Sequence, residues 1–229
     1  MRVKDVDSDI LIGEFNSKFA HRSDSIRIIQ VGANDGYDGD PIHELILSDT
    51  RVKTCLVEPQ REAFLRLIET YKLISSQDRC LFINNAITFN DEKVKLYKNM
   101  HAIGCDKHSS LMLREPDDGA YFVQDSYELV DGITFASLLQ KLDEKQFGIS
   151  IDMMVMDTEG FDCHIVNQAL EAKCFPQIIF FETPNLSTAN DDRLNKIENG
   201  HSLLQRTIFN LKNCAYDVRR LQGNMIAIR

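Results

Sequence analysis

Ile26-Arg27-Ile28-Ile29-Gln30-Val31 runs straight into Gly32-Ala33-Asn34-Asp35-Gly36-Tyr37-Asp38-Gly39-Asp40, and this junction decides how the rest of the chain is read. A β-rich run that stops at a glycine turn lets backbone N–H groups approach a ligand closely, because glycine carries no Cβ. The glycines at 32, 36 and 39 do not follow the G-x-G-x-x-G dinucleotide spacing, and no G-x-x-x-x-G-K-[ST] phosphate loop occurs anywhere in the chain. Both absences speak against nicotinamide and nucleoside-triphosphate ligands. Asp35, Asp38 and Asp40 would repel a pyrophosphate and instead suit a cationic or zwitterionic ligand. The bland reading is a turn needed only for chain reversal.

Outward from the junction, short apolar runs alternate with helical patterns, the signature of βαβ units and a parallel sheet. Strands are expected at Val52–Val57, Cys80–Ile83, Ile151–Met156 and Ile178–Phe181, with closing strands at Tyr216–Val218 and Met225–Ile228. Phe64, Ile68 and Tyr71 mark a helix, as do Phe135, Leu138, Leu139 and Leu142, then Phe161, Ile165 and Ala169, and finally Leu204, Ile208 and Leu211. Asn90-Asp91 splits Ile87 to Tyr97 into what reads as a small hairpin. Between Asn99 and Tyr127 periodicity fails, which makes that stretch a candidate lid or substrate loop. The polar run from Asn185 to Gly200 is equally irregular. Residues 1–25 read as a leader helix packed on the edge of one domain spanning 26–229.

Two further places carry carboxylates at strand ends. Glu58 follows the second strand, where an acid suits the paired hydroxyls of a ribose, and Pro59 ends ladder pairing. Met156-Asp157-Thr158-Glu159-Gly160-Phe161-Asp162-Cys163-His164 follows the fourth strand and puts Asp157 and Glu159 near the same crevice. Asp162 is explained by the dipole of the helix it begins, and His164 reads as an ordinary surface or core histidine. No metal-ligand spacing is present.

Composition bounds the function classes. The chain has 229 residues, 26 Lys+Arg against 35 Asp+Glu, and a net charge of -9, so a nucleic-acid-coating surface is not expected. Its six cysteines are scattered without a CxxC pair, which fits a reducing, cytoplasmic setting. No apolar run approaches the ~18 residues of a membrane span, and the acids near the N-terminus do not fit a signal peptide.

Taken in order, Val31-Gly32-Ala33-Asn34-Asp35-Gly36, Val57-Glu58-Pro59, Asn85-Ala86-Ile87, Ser109-Ser110-Leu111, Ile133-Thr134-Phe135 and Met156-Asp157-Thr158-Glu159-Gly160 resemble the motifs of the FkbM-type S-adenosylmethionine-dependent methyltransferases. The resemblance implies a Rossmann-like class I methyltransferase fold: an α/β domain with a seven-stranded, mostly parallel sheet, an antiparallel last strand and helices on both faces. It also implies S-adenosylmethionine as cofactor, with Gly32, Ala33, Asn34, Asp35 and Gly36 around its methionine and ribose. By the same analogy Glu58, beside Pro59, takes the ribose hydroxyls, Asn85 and Ala86 flank the adenine, and Asp157 lies near the amino acid end or the methyl group. The sequence departs from the family pattern on the substrate side, with Met154 or Met156 where Lys is common and Thr158 where a small apolar residue is common.

The function this implies is O-methylation of a hydroxyl on a sugar, glycan or other small metabolite. Asp157 and Glu159 are the candidate bases, with His108 on the irregular loop as the runner-up. Two other classes stay open: a catalytically silent binding module on the same fold, and a methylase of a macromolecular acceptor.

Overall fold

The computed structural model describes residues 6–99, 109–111, 122–183 and 202–229. Its centre is a sheet of seven strands: β1 (Ile26–Val31), β2 (Val52–Val57), β3 (Cys80–Ile83), β7 (Met153–Met156), β8 (Ile178–Glu182), β9 (Asp217–Arg220) and β10 (Asn224–Ile228). Their spatial order is β3-β2-β1-β7-β8-β10-β9. β1 pairs in parallel with both β2 and β7, and β7 with β8, while β10 returns antiparallel against β8. The chain steps outward from β1 to β3 and then comes back to the other side of β1. That reversal opens a crevice beyond the carboxyl ends of β1 and β7.

The strands form where they do because both faces of the sheet are covered, so nearly every central position must be apolar. Ile29, Val31, Cys55, Val57, Met154 and Met156 pack on one side with residues of α5 (Phe135–Glu144), α6 (Asp162–Glu171) and α7 (Leu203–Asn213). Ile28, Leu56, Met153 and Val155 pack on the other side with α1 (Val6–Phe19), α2 (His43–Ser48), α3 (Arg61–Thr70) and the short α4 (Lys72–Ser75). Helix starts follow local chemistry. Thr134 accepts from the Ser137 backbone N–H at the start of α5, and Ser202 with Gln205 forms a capping box at α7.

Helix α1 buries Leu11, Phe15 and Phe19 against the sheet. Its first turn also holds the closing hairpin, since Asp7 accepts hydrogen bonds from the backbone N–H groups of Gln222 and Gly223 and from the Asn224 amide.

Two expectations need correction. Ile87 to Tyr97 is not a hairpin: β4 (Ala86–Ile87) and β5 (Lys93–Asn99) do not pair with each other but flank β6 (Phe122–Ile133) in a second, three-stranded sheet. The Asn90–Asp91 turn is spent differently. Asp91 accepts from the Thr134 backbone N–H at 2.7 Å and from the Ser137 hydroxyl at 2.6 Å, tethering the start of α5. Second, the irregular stretch does not extend to Tyr127, because β6 begins at Phe122. Its pattern is inverted near the middle, with Tyr127 and Leu129 exposed and Glu128 turned inward beside buried Val130. That inversion hides the strand from a periodicity reading. The core of the irregular stretch and the Asn185–Gly200 segment lie outside the described residues.

Among the described residues, no helix is long and apolar enough to cross a membrane.

Candidate functional site

The crevice is a cavity of about 270 Å³ with two banks. The first is built on the turns that follow β1 and β2. Gly32 and Ala33 both donate their N–H groups to the Val57 carbonyl, at 3.0 and 3.1 Å, which draws the glycine turn over the end of β2. Gly32 has a φ of +79°, and a Cβ there would lie 1.9 Å from the Asp157 carbonyl oxygen. Only glycine lets the two banks approach this closely. Gly36 needs the same freedom for another reason: φ is +69°, and a Cβ would strike the side chains of Tyr71 and Leu67 at 2.4 and 2.6 Å.

Glu58 ties this bank together. It is 6% exposed, and its two carboxylate oxygens accept hydrogen bonds from the backbone N–H groups of Asn34 and Gln60, each at 2.8 Å. Burial nevertheless raises its pKa to about 7, with the like charge of Glu128 from the second sheet adding to the rise. The Asn84 amide donates to the carbonyls of Glu58 and Pro59, fixing the turn from outside.

The second bank follows β7. The Asp157 N–H donates to the Val31 carbonyl at 3.0 Å, so the chain stays paired with β1 until the site begins. Then it turns sharply, with Glu159 at φ +55° and Gly160 at +111°. A non-glycine residue in the left-handed region costs of order 1 kcal/mol or more and persists only where its surroundings hold it. The holder is Asp162, 1% exposed, whose Oδ2 accepts from the Thr158 hydroxyl at 2.6 Å and whose Oδ1 accepts from the Glu182 N–H at 3.3 Å. Burial raises its pKa to about 6, against the pull of those hydrogen bonds. Asp162 therefore clamps the turn to the end of β8, a structural duty that its place in the first turn of a helix does not reveal. Thr158, one of the departures from the family pattern, is its partner.

A short segment, Ser109–Leu111, joins the banks. The Gln60 amide donates to the Ser109 hydroxyl at 2.6 Å, and the Ser110 hydroxyl donates to the Glu159 carbonyl at 2.9 Å. Ser110 also exchanges backbone hydrogen bonds with Tyr97 of β5.

Of the residues singled out in the sequence, Gly32, Ala33, Asn34, Glu58, Pro59, Ala86, Asp157 and Glu159 line this one cavity. Three others turn elsewhere. Asp35 accepts from the N–H groups of Tyr37 and Asp38, Gly36 offers its carbonyl to His43 and Tyr71, and the Asn85 amide donates to the Asp131 carbonyl of β6. His108 lies outside the described residues. His164 packs edge-on against Phe89, with Phe161 at 4.8 Å. No group of three or more His, Cys, Asp or Glu is placed to hold a metal ion among the described residues.

The cavity also takes in residues to which the sequence assigns no role. Leu96 and Leu111 bring apolar surface from the second sheet and the joining segment, and Gln30 contributes from inside β1. Gln30 carries a visible signal: it is a polar side chain in a strand whose other buried positions are aliphatic.

No protein-family model matches the chain, and no curated protein matches its sequence. The fold does match solved structures. The METTL16 MTase domain aligns at a TM-score of 0.50 with 9% identity over 99% of this chain and 70% of that one. The cofactor-bound Rv0187 protein from MTB aligns at a TM-score of 0.50 with 11% identity over 97% of this chain and 85% of that one. At such identities the likeness establishes architecture: this is the Rossmann-like class I methyltransferase fold, with the strand order and antiparallel β10 already described.

Proposed function

We propose that the protein is an S-adenosylmethionine-dependent methyltransferase of the FkbM type, transferring a methyl group to a hydroxyl of a sugar, glycan or other small metabolite. The observation that carries this reading is Glu58, a buried carboxylate beyond β2 that opens on the same cavity as the glycine turn of β1. Ionised, it spends one acceptor position per oxygen on Asn34 and Gln60 and keeps others for the vicinal hydroxyls of a ribose.

The remaining residues fit the same cofactor. Gly32 leaves open backbone where a side chain would collide, Ala86, Ile87, Leu96 and Leu111 offer apolar surface to an adenine, and the acidic lining suits a sulfonium cation. The bound cofactor supplies an activated methyl on a good leaving group, transferred by in-line displacement. Orientation is then the main task of the chain, and well-ordered intramolecular models attribute on the order of 7–11 kcal/mol to it. Asp157 and Glu159 line the cavity on the opposite bank, and either carboxylate can accept the proton of an acceptor hydroxyl. The clamp through Thr158 and Asp162 holds that turn in place.

Calorimetric titration with S-adenosylmethionine tests the cofactor, with the Glu58→Ala protein as control. Binding to the wild type that falls in the variant supports the reading, and no binding at millimolar cofactor overturns it. Transfer of labelled methyl into a whole-cell extract, then separated into small-molecule and macromolecular fractions, identifies the acceptor; label appearing only in protein or nucleic acid overturns the small-molecule assignment.

A further inference from the structure

Phe89 stands at 60% exposure in the turn between β4 and β5, an apolar ring left open to solvent although the turn around it is firmly built. The Thr88 N–H donates to the Ile133 carbonyl at 2.8 Å, the Gln168 amide donates to the Thr88 carbonyl at 3.1 Å, and the Thr88 hydroxyl donates to the Asn90 carbonyl at 2.6 Å. None of these contacts uses the Phe89 side chain. Its ring stands at 67° to that of Phe161 and at 78° to that of His164, with centroids 5.0 and 4.8 Å away. Packing of this kind fixes the orientation of the ring, and its exposure leaves at least one face open.

Phe161 connects this ring to the site. It is 6% exposed, lines the cavity and follows Glu159 by two residues on the same turn. Phe89 is one ring further out. The cavity, at about 270 Å³, falls below the roughly 300–1,000 Å³ of ordinary small-molecule sites, so with a nucleoside cofactor inside it the body of an acceptor must rest outside. An open aromatic face held beside a turn of carboxylates suits a ligand with two kinds of surface: hydroxyls for Asp157 and Glu159, and a patch of slightly positive C–H bonds for the negative face of the ring. A sugar ring has both. An acyclic alcohol lacks the patch, and a phenol brings few hydroxyls. We propose that Phe89, propped on Phe161 and His164, is an outer acceptor subsite on which a sugar ring lays its C–H face while a hydroxyl of the same acceptor reaches the second bank. This rests on the methyltransferase reading and narrows its acceptor to a carbohydrate.

The experiment follows labelled methyl from S-adenosylmethionine into whole-cell extract at a series of dilutions, with Phe89→Leu, which keeps apolar bulk without the aromatic face, and Phe89→Tyr, which keeps the face. Phe89→Leu should lose about 3- to 10-fold in initial rate at high dilution and recover most of it in concentrated extract, the mark of weakened acceptor binding, while Phe89→Tyr stays within about 2-fold of the wild type. Calorimetric affinity for S-adenosylhomocysteine should stay within about 2-fold in both, as expected of an exposed position outside the cofactor's reach. Acid hydrolysis of the wild-type product should leave the label on a sugar as a methyl ether, a result that needs no variant to fold. Label on a compound without a sugar ring, an unchanged rate in Phe89→Leu, an equal loss in Phe89→Tyr or a loss of S-adenosylhomocysteine affinity in either would overturn the inference alone. A wild type that transfers no label, or that binds no S-adenosylmethionine, overturns the methyltransferase reading and this inference with it.

Discussion

The two banks of the cavity are built on different principles. The bank after β1 and β2 hangs on main-chain hydrogen bonds from Gly32 and Ala33 to the Val57 carbonyl, with a single side chain, Glu58, gathering two more main-chain N–H groups. The bank after β7 leans on side chains: Asp162 holds Thr158, and Ser110 holds the Glu159 carbonyl, around a residue at positive φ. A bank fastened mostly through its backbone keeps its shape when single side chains other than Glu58 change. A side-chain-fastened bank shifts with each one, which suits a surface that must fit an acceptor. The contrast predicts that substitutions on the first bank are read in nucleoside affinity and those on the second in turnover.

The largest effect should come where the banks touch. Gly32→Ala drives a Cβ into the Asp157 carbonyl at a backbone conformation that L residues rarely adopt, so both banks must separate. A stability loss of more than about 3 kcal/mol is expected, seen as a drop in Tm of ten degrees or more or as insoluble protein. A variant that unfolds like the wild type would show that the contact is dispensable. Next comes Glu159→Gln, which removes a base while keeping the size and shape of the side chain. Turnover should fall about 100-fold or more while cofactor affinity stays within about 3-fold; unchanged turnover would leave proton removal to Asp157.

Glu58 supplies a pH test of the first bank. Its pKa is raised from 4.5 to about 7, so the folded protein holds a proton that the unfolded chain gives up near pH 4.5. Stability is therefore greatest at or below the unfolded value and declines as pH rises through about 7, by on the order of 3 kcal/mol for this group. Asp162, raised from 3.8 to about 6, adds a decline of the same sign over a lower window. Thermal unfolding between pH 5 and 8 should show the fall, flattened in Glu58→Ala. Because ribose hydroxyls donate to the ionised acid, nucleoside affinity should rise over the same range. A flat stability profile would mean that Glu58 is ionised throughout. The smallest effect is expected from Ser110→Ala, which removes one hydrogen bond from the Glu159 carbonyl and costs about 1 kcal/mol or less. Its trace should be a modest turnover loss with affinity unchanged; a loss confined to affinity would reverse the roles of the banks.

The same contrast explains what the sequence revealed. β1, β2, β7 and β8 are buried on both faces and so stand out as continuous apolar runs, and the glycine turn is recognisable because Gly32 and Gly36 serve steric needs that no other residue meets. The first bank was legible for that reason. β6 was not, since its apolar Tyr127 and Leu129 face outward while Glu128 turns in. Asp162 does sit in the first turn of α6, as expected, but its second role as a buried clamp is not legible, since a helix-dipole partner and a clamp look alike until the distances to Thr158 and Glu182 are known. Gln30 shows a third kind of limit: one amide in a strand is visible in the sequence, but that its oxygen lacks a donor among the described residues is visible only in the structure.

Two of the buried cysteines offer a clock for these banks. Cys55 lies within β2, which leads into Glu58, and Cys163 is the second residue of α6, just past the Glu159 turn. Desolvation pushes both thiols upward, Cys163 to about 12, so neither reacts as a thiolate while its surroundings stay closed. Their alkylation rates, read peptide by peptide, report how often each bank opens to solvent. The side-chain-fastened bank should expose Cys163 sooner, and a nucleoside ligand should slow Cys55 and Cys163 together only if it grips both banks at once.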